Sequence, residues 1–159
     1  MKTILLLSAI FLTGSSCLFA GKKNIVFPTF SLLRMDSINY LTNEDLAKNK
    51  NTVFINFSPT CEHCQRTINS ILVNISKFEE TQFVLSSFDD FSVIRRFYFN
   101  YFLNSFTNVF IGKDIDFALT KQIQYSSFPC LVIFDKNNVW KKTIPGEINA
   151  KDLLKVIEK

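Results

Sequence analysis

The sequence has few of the residues that interrupt folded structure. It contains only 4 Gly and 4 Pro among 159 residues, with no internal repeat and no Pro/Gly-rich linker after residue 20. We therefore expect a single folded domain. Hydrophobic residues make up 47% and charged residues 20%, which excludes a disordered or fibrous protein. The net charge of +4 is small and scattered, so nucleic acid is not an expected partner.

Cysteine and histidine are also scarce. Four Cys are too few for a small protein held together by disulfides, and His63 is the only histidine. Two of the cysteines lie close together as Cys61-Glu62-His63-Cys64. A zinc site would need a second Cys or His pair at ligand spacing, which the chain lacks, so no metal is expected there.

The N-terminus has the pattern of an export signal. A basic start at Lys2 is followed by an apolar run, residues 4–12, and then by small residues up to Ser16. This order predicts a secretory signal peptide over residues 1–20 and an exported, periplasmic domain over residues 21–159. The run is short for a membrane span, yet no charge occurs between Lys2 and Lys22, so an uncleaved anchor stays open.

Processing of this signal has two readings. Small residues before Cys17 resemble a bacterial lipoprotein signal, which would make Cys17 the lipidated first residue and anchor the chain to a membrane. Gly14 departs from that signal, and ordinary cleavage, for example after Ala20, would discard Cys17. In either case the domain would lie in an oxidising compartment, where thiols are oxidised unless something reduces them.

The rest of the chain alternates between strand and helix patterns. Short β-branched and aromatic runs predict strands, and apolar residues spaced three and four apart predict helices. The predicted strands cover residues 52–57, 82–88, 108–111, 130–134 and 139–143. One predicted helix begins at Cys61, and three others cover residues 91–106, 114–122 and 150–158. Phe117, Ala118 and Ile123 are expected on the apolar side of the helix predicted over residues 114–122. This order indicates an α/β domain with a mixed sheet.

A Cys pair at the start of a helix has a direct chemical use. The free N–H groups and the dipole of the first turn stabilise a thiolate at Cys61, which makes it the expected nucleophile. Cys64, one turn further and facing the core, would be the resolving thiol. Between them, His63 would favour the thiolate by its positive charge, whereas Glu62 would oppose it. A purely structural disulfide stays open, although so short a loop restrains little entropy.

Two segments carry a family resemblance. Residues 57–65 read FSPTCEHCQ after a strand, and residues 127–135 read SFPCLVIFD downstream. Together they resemble the thioredoxin-like superfamily, and within it the exported TlpA/ResA-type thiol–disulfide oxidoreductases and their redoxin relatives. The resemblance implies a mixed central sheet flanked by helices, with an extra helix and strand between the Cys-pair helix and the strand after Pro129. It also implies that Pro129 is a cis-proline and that Phe128 and Pro129 shape the substrate groove.

The same resemblance implies the activity. The protein would reduce or exchange disulfides in client proteins through the Cys61–Cys64 couple, with no cofactor beyond that redox-active disulfide. Its partners would be client thiols or disulfides and a membrane or periplasmic thiol electron donor. Two alternatives stay open: a copper-binding module that uses the Cys pair, and a peroxide-reducing redoxin, although Thr60 directly before Cys61 breaks the pattern of the latter.

Three positions depart from the family pattern. Thr67 replaces a Glu that many relatives have three residues after the second Cys, which leaves the proton-relay carboxylate in doubt. Phe128 replaces a Thr, Val or Ile and predicts a more apolar substrate contact. Cys130 directly follows Pro129; it is either a packed strand residue or a third thiol that can exchange disulfides with the pair or help bind a soft metal.

Overall fold

The structure is a computed structural model that describes residues 25–123 and 127–159. The predicted signal peptide and Cys17 lie outside the described residues. Within the described ranges, no helix combines the length and the apolar character that a membrane span requires.

Within the described residues, seven strands and four helices follow one another. The strands are β1 (Ser31–Leu33), β2 (Tyr40–Thr42), β3 (Asn51–Asn56), β4 (Thr81–Ser87), β5 (Val109–Lys113), β6 (Cys130–Phe134) and β7 (Trp140–Pro145). The helices are α1 (Glu62–Val73), α2 (Phe91–Asn100), α3 (Ala118–Ile123) and α4 (Ala150–Glu158). Short 3₁₀ turns occupy several of the connections.

All seven strands form one mixed sheet in the order β2-β1-β5-β4-β3-β6-β7. The pairs β3–β4 and β4–β5 are parallel, so each needs a crossover connection, and α1 and α2 supply them. The remaining pairs are antiparallel. This arrangement confirms the predicted mixed sheet flanked by helices, and α2 with β5 forms the predicted insertion.

Alternation along β3, an inner strand of the sheet, divides the core into two layers. Val53 and Ile55 face one side of the sheet and pack with residues of α1, α2 and α4. Phe54 faces the other side and packs with residues of α3. Its ring makes edge-to-face contacts with Phe30 and Phe134 at centroid distances of 5.4 and 5.8 Å. The sheet is therefore covered on both faces.

Two predicted helices are shorter than the sequence pattern suggests. The helix predicted over residues 91–106 ends at Asn100, because Phe102 has a left-handed backbone with φ 50°. The helix predicted over residues 114–122 begins at Ala118, because Asp116 and Phe117 have φ 61° and 56°. A left-handed residue cannot continue a right-handed helix. The placement of Phe117 and Ala118 on the apolar side is wrong, since both are exposed, whereas Ile123 is buried as predicted.

Candidate active site

The loop after β3 positions the Cys pair. Cys61 is the N-cap of α1, with an extended backbone at φ −82° and ψ 117°. Its N–H donates to the carbonyl oxygen of Ser58 at 3.1 Å, and Gln65 Nε2 donates to the carbonyl oxygen of Pro59 at 2.7 Å. These bonds fasten both sides of the loop to the first turn of the helix. The loop that follows the carboxyl end of β3 thus places Cys61 at the edge of the sheet where this strand ends.

The two thiols have different surroundings. Cys61 is partly exposed, whereas Cys64 is completely buried in the core formed with α1. Burial, followed by interaction with the Cys61 thiol, raises the pKa of the Cys64 thiol to about 12. No disulfide joins the pair in this structure. One thiol is therefore open to a second molecule while its neighbour is held protonated.

The Phe128–Pro129 segment lies against the exposed thiol. The peptide bond between these residues is cis, in agreement with the position predicted for Pro129. The carbonyl oxygen of Phe128 lies 4.0 Å from Cys61 Sγ. On the far side of the same turn, the N–H of Gly146 donates to the carbonyl oxygen of Pro129 at 2.7 Å. Residues 67 positions apart in sequence thus meet at the Cys61 sulfur.

A carboxylate from a loop distant in sequence contacts His63, one of the two residues between the cysteines. Glu147, directly after Gly146, receives two hydrogen bonds from Arg66, Nε to Oε1 at 2.9 Å and Nη2 to Oε2 at 2.8 Å. Nδ1 of His63 lies 2.7 Å from Glu147 Oε2 and 2.8 Å from Arg66 Nη2. That nitrogen can donate to the carboxylate only when it carries a proton and accept from Arg66 only when it does not. Whether a proton sits on Nδ1 therefore decides which of the two partners this nitrogen bonds.

The hydrogen bonds of this cluster change the pKa of the Glu147 carboxyl. Hydrogen bonds from Arg66 and then from His63 lower the pKa of the Glu147 carboxyl from 4.5 to about 2. Glu62, the other residue between the cysteines, is largely exposed, and Oε2 of its carboxylate lies 3.6 Å from Nη1 of Arg66. Glu147 was not among the residues predicted from the sequence. Its only sequence signal was its place directly after Pro145-Gly146.

Thr67 has a structural use in place of the absent Glu. It is completely buried, and its Oγ1 accepts a hydrogen bond from the N–H of Ile148 at 3.2 Å. In the same way, the Ser70 hydroxyl accepts from the N–H of Ala150 at 2.9 Å. The face of α1 that carries His63 also carries these residues, so it binds residues 147–150 along its length.

Cys130 is buried at the start of β6, paired in register with Asn56 of β3. Leu131 and Ile133, on the same strand, pack into the core that contains Cys64. Since successive side chains of a strand point to opposite faces, Cys130 belongs to the other face of the sheet. Its role, as a packed strand residue or as a third thiol, stays a prediction. Among the described residues, no group of three or more His, Cys, Asp or Glu side chains is arranged to hold a metal ion.

Comparison with known proteins supports the fold. The sequence matches no protein-family model and no curated protein, but many solved structures are similar. One is a secreted Mycobacterium tuberculosis disulfide oxidoreductase homologous to E. coli DsbE, with TM-score 0.68, 15% identity and coverage of 82% of this chain and 95% of that one. Another is StoA from Bacillus subtilis, with TM-score 0.62, 15% identity and coverage of 83% and 98%. A third is the exposed lipoprotein thioredoxin Etrx1 from Streptococcus pneumoniae, with TM-score 0.64, 17% identity and coverage of 82% and 98%. The predicted resemblance is confirmed at the level of architecture: the chain has the thioredoxin-like fold.

Proposed function

We propose that this protein is an exported thiol–disulfide oxidoreductase that reduces or exchanges disulfides in client proteins through Cys61 and Cys64. One observation carries the proposal. The N-cap residue of a helix carries a partly exposed thiol that lies beside the Phe128 carbonyl, and a second, buried thiol follows one turn later. No cofactor beyond the Cys61–Cys64 disulfide is needed, because the pair itself stores the two electrons.

The first step is attack by Cys61. Its thiolate forms a bond to one sulfur of a client disulfide, and the other client sulfur leaves as a thiolate that takes a proton from water. The unpaired N–H groups of the first helical turn stabilise negative charge on Cys61 before the attack. Phe128 and Pro129 form the wall along which the client chain approaches.

The second step is resolution by Cys64. Its thiolate attacks Cys61 Sγ, the intermolecular disulfide breaks, and the second client thiol is released as the Cys61–Cys64 disulfide forms. Two of the causes that raise the pKa of Cys64 are its hydrogen bond to Cys61 and the charge on Cys61. Both disappear once Cys61 is bonded to a client. The resolving thiol therefore becomes easier to ionise only after the first step.

The N-terminal sequence and the similar structures support the proposed export and partners. One similar protein is described as secreted and another as an exposed lipoprotein. These descriptions support a signal peptide over residues 1–20, a thioredoxin-like domain over residues 21–159 and a periplasmic location, with lipidation at Cys17 as the form of any membrane anchor. A thiol protein of the membrane or periplasm would return the electrons to the pair.

The proposal is tested by reduction of a protein disulfide. The purified protein, with dithiothreitol as electron source, should accelerate the reduction of insulin well above the rate with dithiothreitol alone. Cys61→Ser and Cys64→Ser should each abolish the acceleration. Cys130→Ala removes a cysteine on the other face of the sheet and should retain it. An insulin rate that the wild-type protein does not raise, or that the Cys61→Ser variant raises equally, would contradict the proposal.

A further inference from the structure

Three phenylalanine rings form a row that begins beside the exposed thiol. Phe128 is 37% exposed, and its ring lies 5.6 Å from that of Phe88, centroid to centroid. The ring of Phe88 lies 4.9 Å from that of Phe117, which is 46% exposed. We call Phe128, Phe88 and Phe117 the aromatic row. Each member comes from a different part of the chain, so only the fold brings them together.

Phe117 is turned outward by its backbone. Asp116 and Phe117 both have a left-handed conformation, which ends the 3₁₀ turn before α3 and directs Phe117 away from the helix. The side chains that follow along the same helix, Leu119 and Ile123, are buried. The local sequence could have hidden this ring on the apolar side of α3, yet the structure places it against Phe88.

The row begins at Phe128, the residue whose carbonyl oxygen lies near the Cys61 sulfur. The carbonyl oxygen of Phe128 lies 4.0 Å from Cys61 Sγ, and the ring of the same residue is the first of the row. A client whose sulfur is bonded to Cys61 therefore has its flanking chain within reach of Phe128, the first residue of the row. With a rise of about 3.4 Å per residue, an extended chain would cover the row with about three residues.

We propose that the aromatic row is the docking surface for an apolar segment next to the reactive cysteine of the client protein. This inference rests on the proposed function and names its substrate class. Aromatic rings offer such a segment a large apolar contact at little cost in side-chain entropy. Clients with Leu or similar residues beside the cysteine would then react faster than clients with polar residues there.

The test uses two peptides that differ only beside their cysteine. Each carries one Cys as a mixed disulfide with 2-thiopyridine, flanked on both sides by Leu in one peptide and by Ser in the other. Attack of Cys61 on the peptide sulfur releases 2-thiopyridone, which is followed by absorbance. We expect the wild-type protein to react about five- to tenfold faster with the Leu peptide.

A matched pair of variants assigns the preference to the row. Phe117→Ser should bring the ratio of the Leu rate to the Ser rate close to one. Phe102→Ser should leave the ratio as in the wild type, because Phe102 is also exposed and left-handed but makes no ring contact with the row. A wild-type ratio near one, or an unchanged ratio in Phe117→Ser, would overturn the docking surface.

Two further measurements separate other causes. Sedimentation at the assay concentration should show a monomer; a dimer that Phe117→Ser dissociates would mean that a second copy covers the row, against the proposal. With 2,2′-dithiodipyridine the wild-type protein should release two equivalents of thiopyridone, as Cys61 attacks and Cys64 resolves. Release of one equivalent or none would contradict the proposed function itself, whereas two equivalents with equal peptide rates would overturn the docking surface alone.

Discussion

Cys61 and Cys64 are three residues apart but occupy opposite environments. Cys61 caps the helix at the protein surface, and Cys64 is enclosed by the core. Burial disfavours the charged form of a thiol, which is the main reason that the pKa of Cys64 reaches about 12. In the proposed mechanism, the division into an attacking and a resolving thiol therefore follows from the location of the two residues, before any client is present.

This difference should appear in the alkylation of the reduced protein. At pH 8, a thiol with a pKa of about 12 is ionised to only about one part in ten thousand. Iodoacetamide should therefore modify Cys61 and leave Cys64 unmodified in the folded protein, as read by peptide mass spectrometry. In urea both should react, which provides the control. Modification of Cys64 in the folded protein as fast as that of Cys61 would contradict the assignment.

Glu147 gives the site a fixed negative charge from outside the Cys-pair helix. Arg66 neutralises it with two hydrogen bonds, and His63 shares one of its oxygens. The pKa of Glu147 is lower in the folded protein than its ordinary value of 4.5. This carboxyl therefore contributes stability above about pH 4.5, and that contribution is lost as the pH falls towards 2.

A carboxyl titration by carbon-13 NMR should reveal the lowered pKa of Glu147. In the wild-type protein the side-chain carboxyl of Glu147 should titrate near pH 2. Arg66→Gln should raise the midpoint more than His63→Ala does, because the bonds from Arg66 are the larger cause. A wild-type midpoint near 4.5 would show that the cluster does not form in solution.

At the scale of elements, α1 and the segment that leads into α4 behave as one unit. The N–H groups of Ile148 and Ala150 donate to the hydroxyls of Thr67 and Ser70 on α1. The N–H of Gly146 donates to Pro129 at the start of β6. Residues 146–150 therefore hold the Cys-pair helix and the cis-proline turn in one arrangement.

Replacing Thr67 tests this unit. Thr67→Val keeps the size of the buried side chain but leaves the N–H of Ile148 without its acceptor. We expect a loss of about 1–3 kcal/mol in the free energy of unfolding, measured in urea. Thr67→Ser retains the hydroxyl and should retain the bond, although it removes a methyl group. A Val variant as stable as the wild type would show that the bond to Ile148 is not formed.

Elements with strong local patterns were predictable from the sequence. The strand over Cys130–Phe134 and the helix over Ala150–Glu158 have the predicted bounds, because their apolar runs begin and end sharply. The end of α2 and the start of α3 were not predictable, because Phe102 and Phe117 have a left-handed backbone that residues other than Gly rarely adopt. Glu147 could not be assigned either, since it lies 84 residues from His63 and only the fold brings them together.

At the scale of the whole molecule, the abundant phenylalanines have two uses. Phe54, Phe83 and Phe134 are completely buried in the cores on the two faces of the sheet. Phe128 is partly exposed near the Cys61 thiol, and Phe117 is exposed at the other end of the aromatic row. The resemblance predicted Phe128 at the site, whereas no sequence pattern indicated the contact between Phe117 and Phe88. Burial on both faces fixes the sheet, and the connections at the ends of its strands carry the chemistry.

The most direct test of the central claim is to trap the intermediate between protein and client. If Cys61 attacks and Cys64 resolves, a Cys64→Ser variant mixed with a disulfide-bonded protein should accumulate a stable intermolecular disulfide through Cys61. Non-reducing electrophoresis and mass spectrometry would identify it, and Cys61→Ser should form no such species. Equal trapping by the two variants, or trapping by neither, would contradict the account.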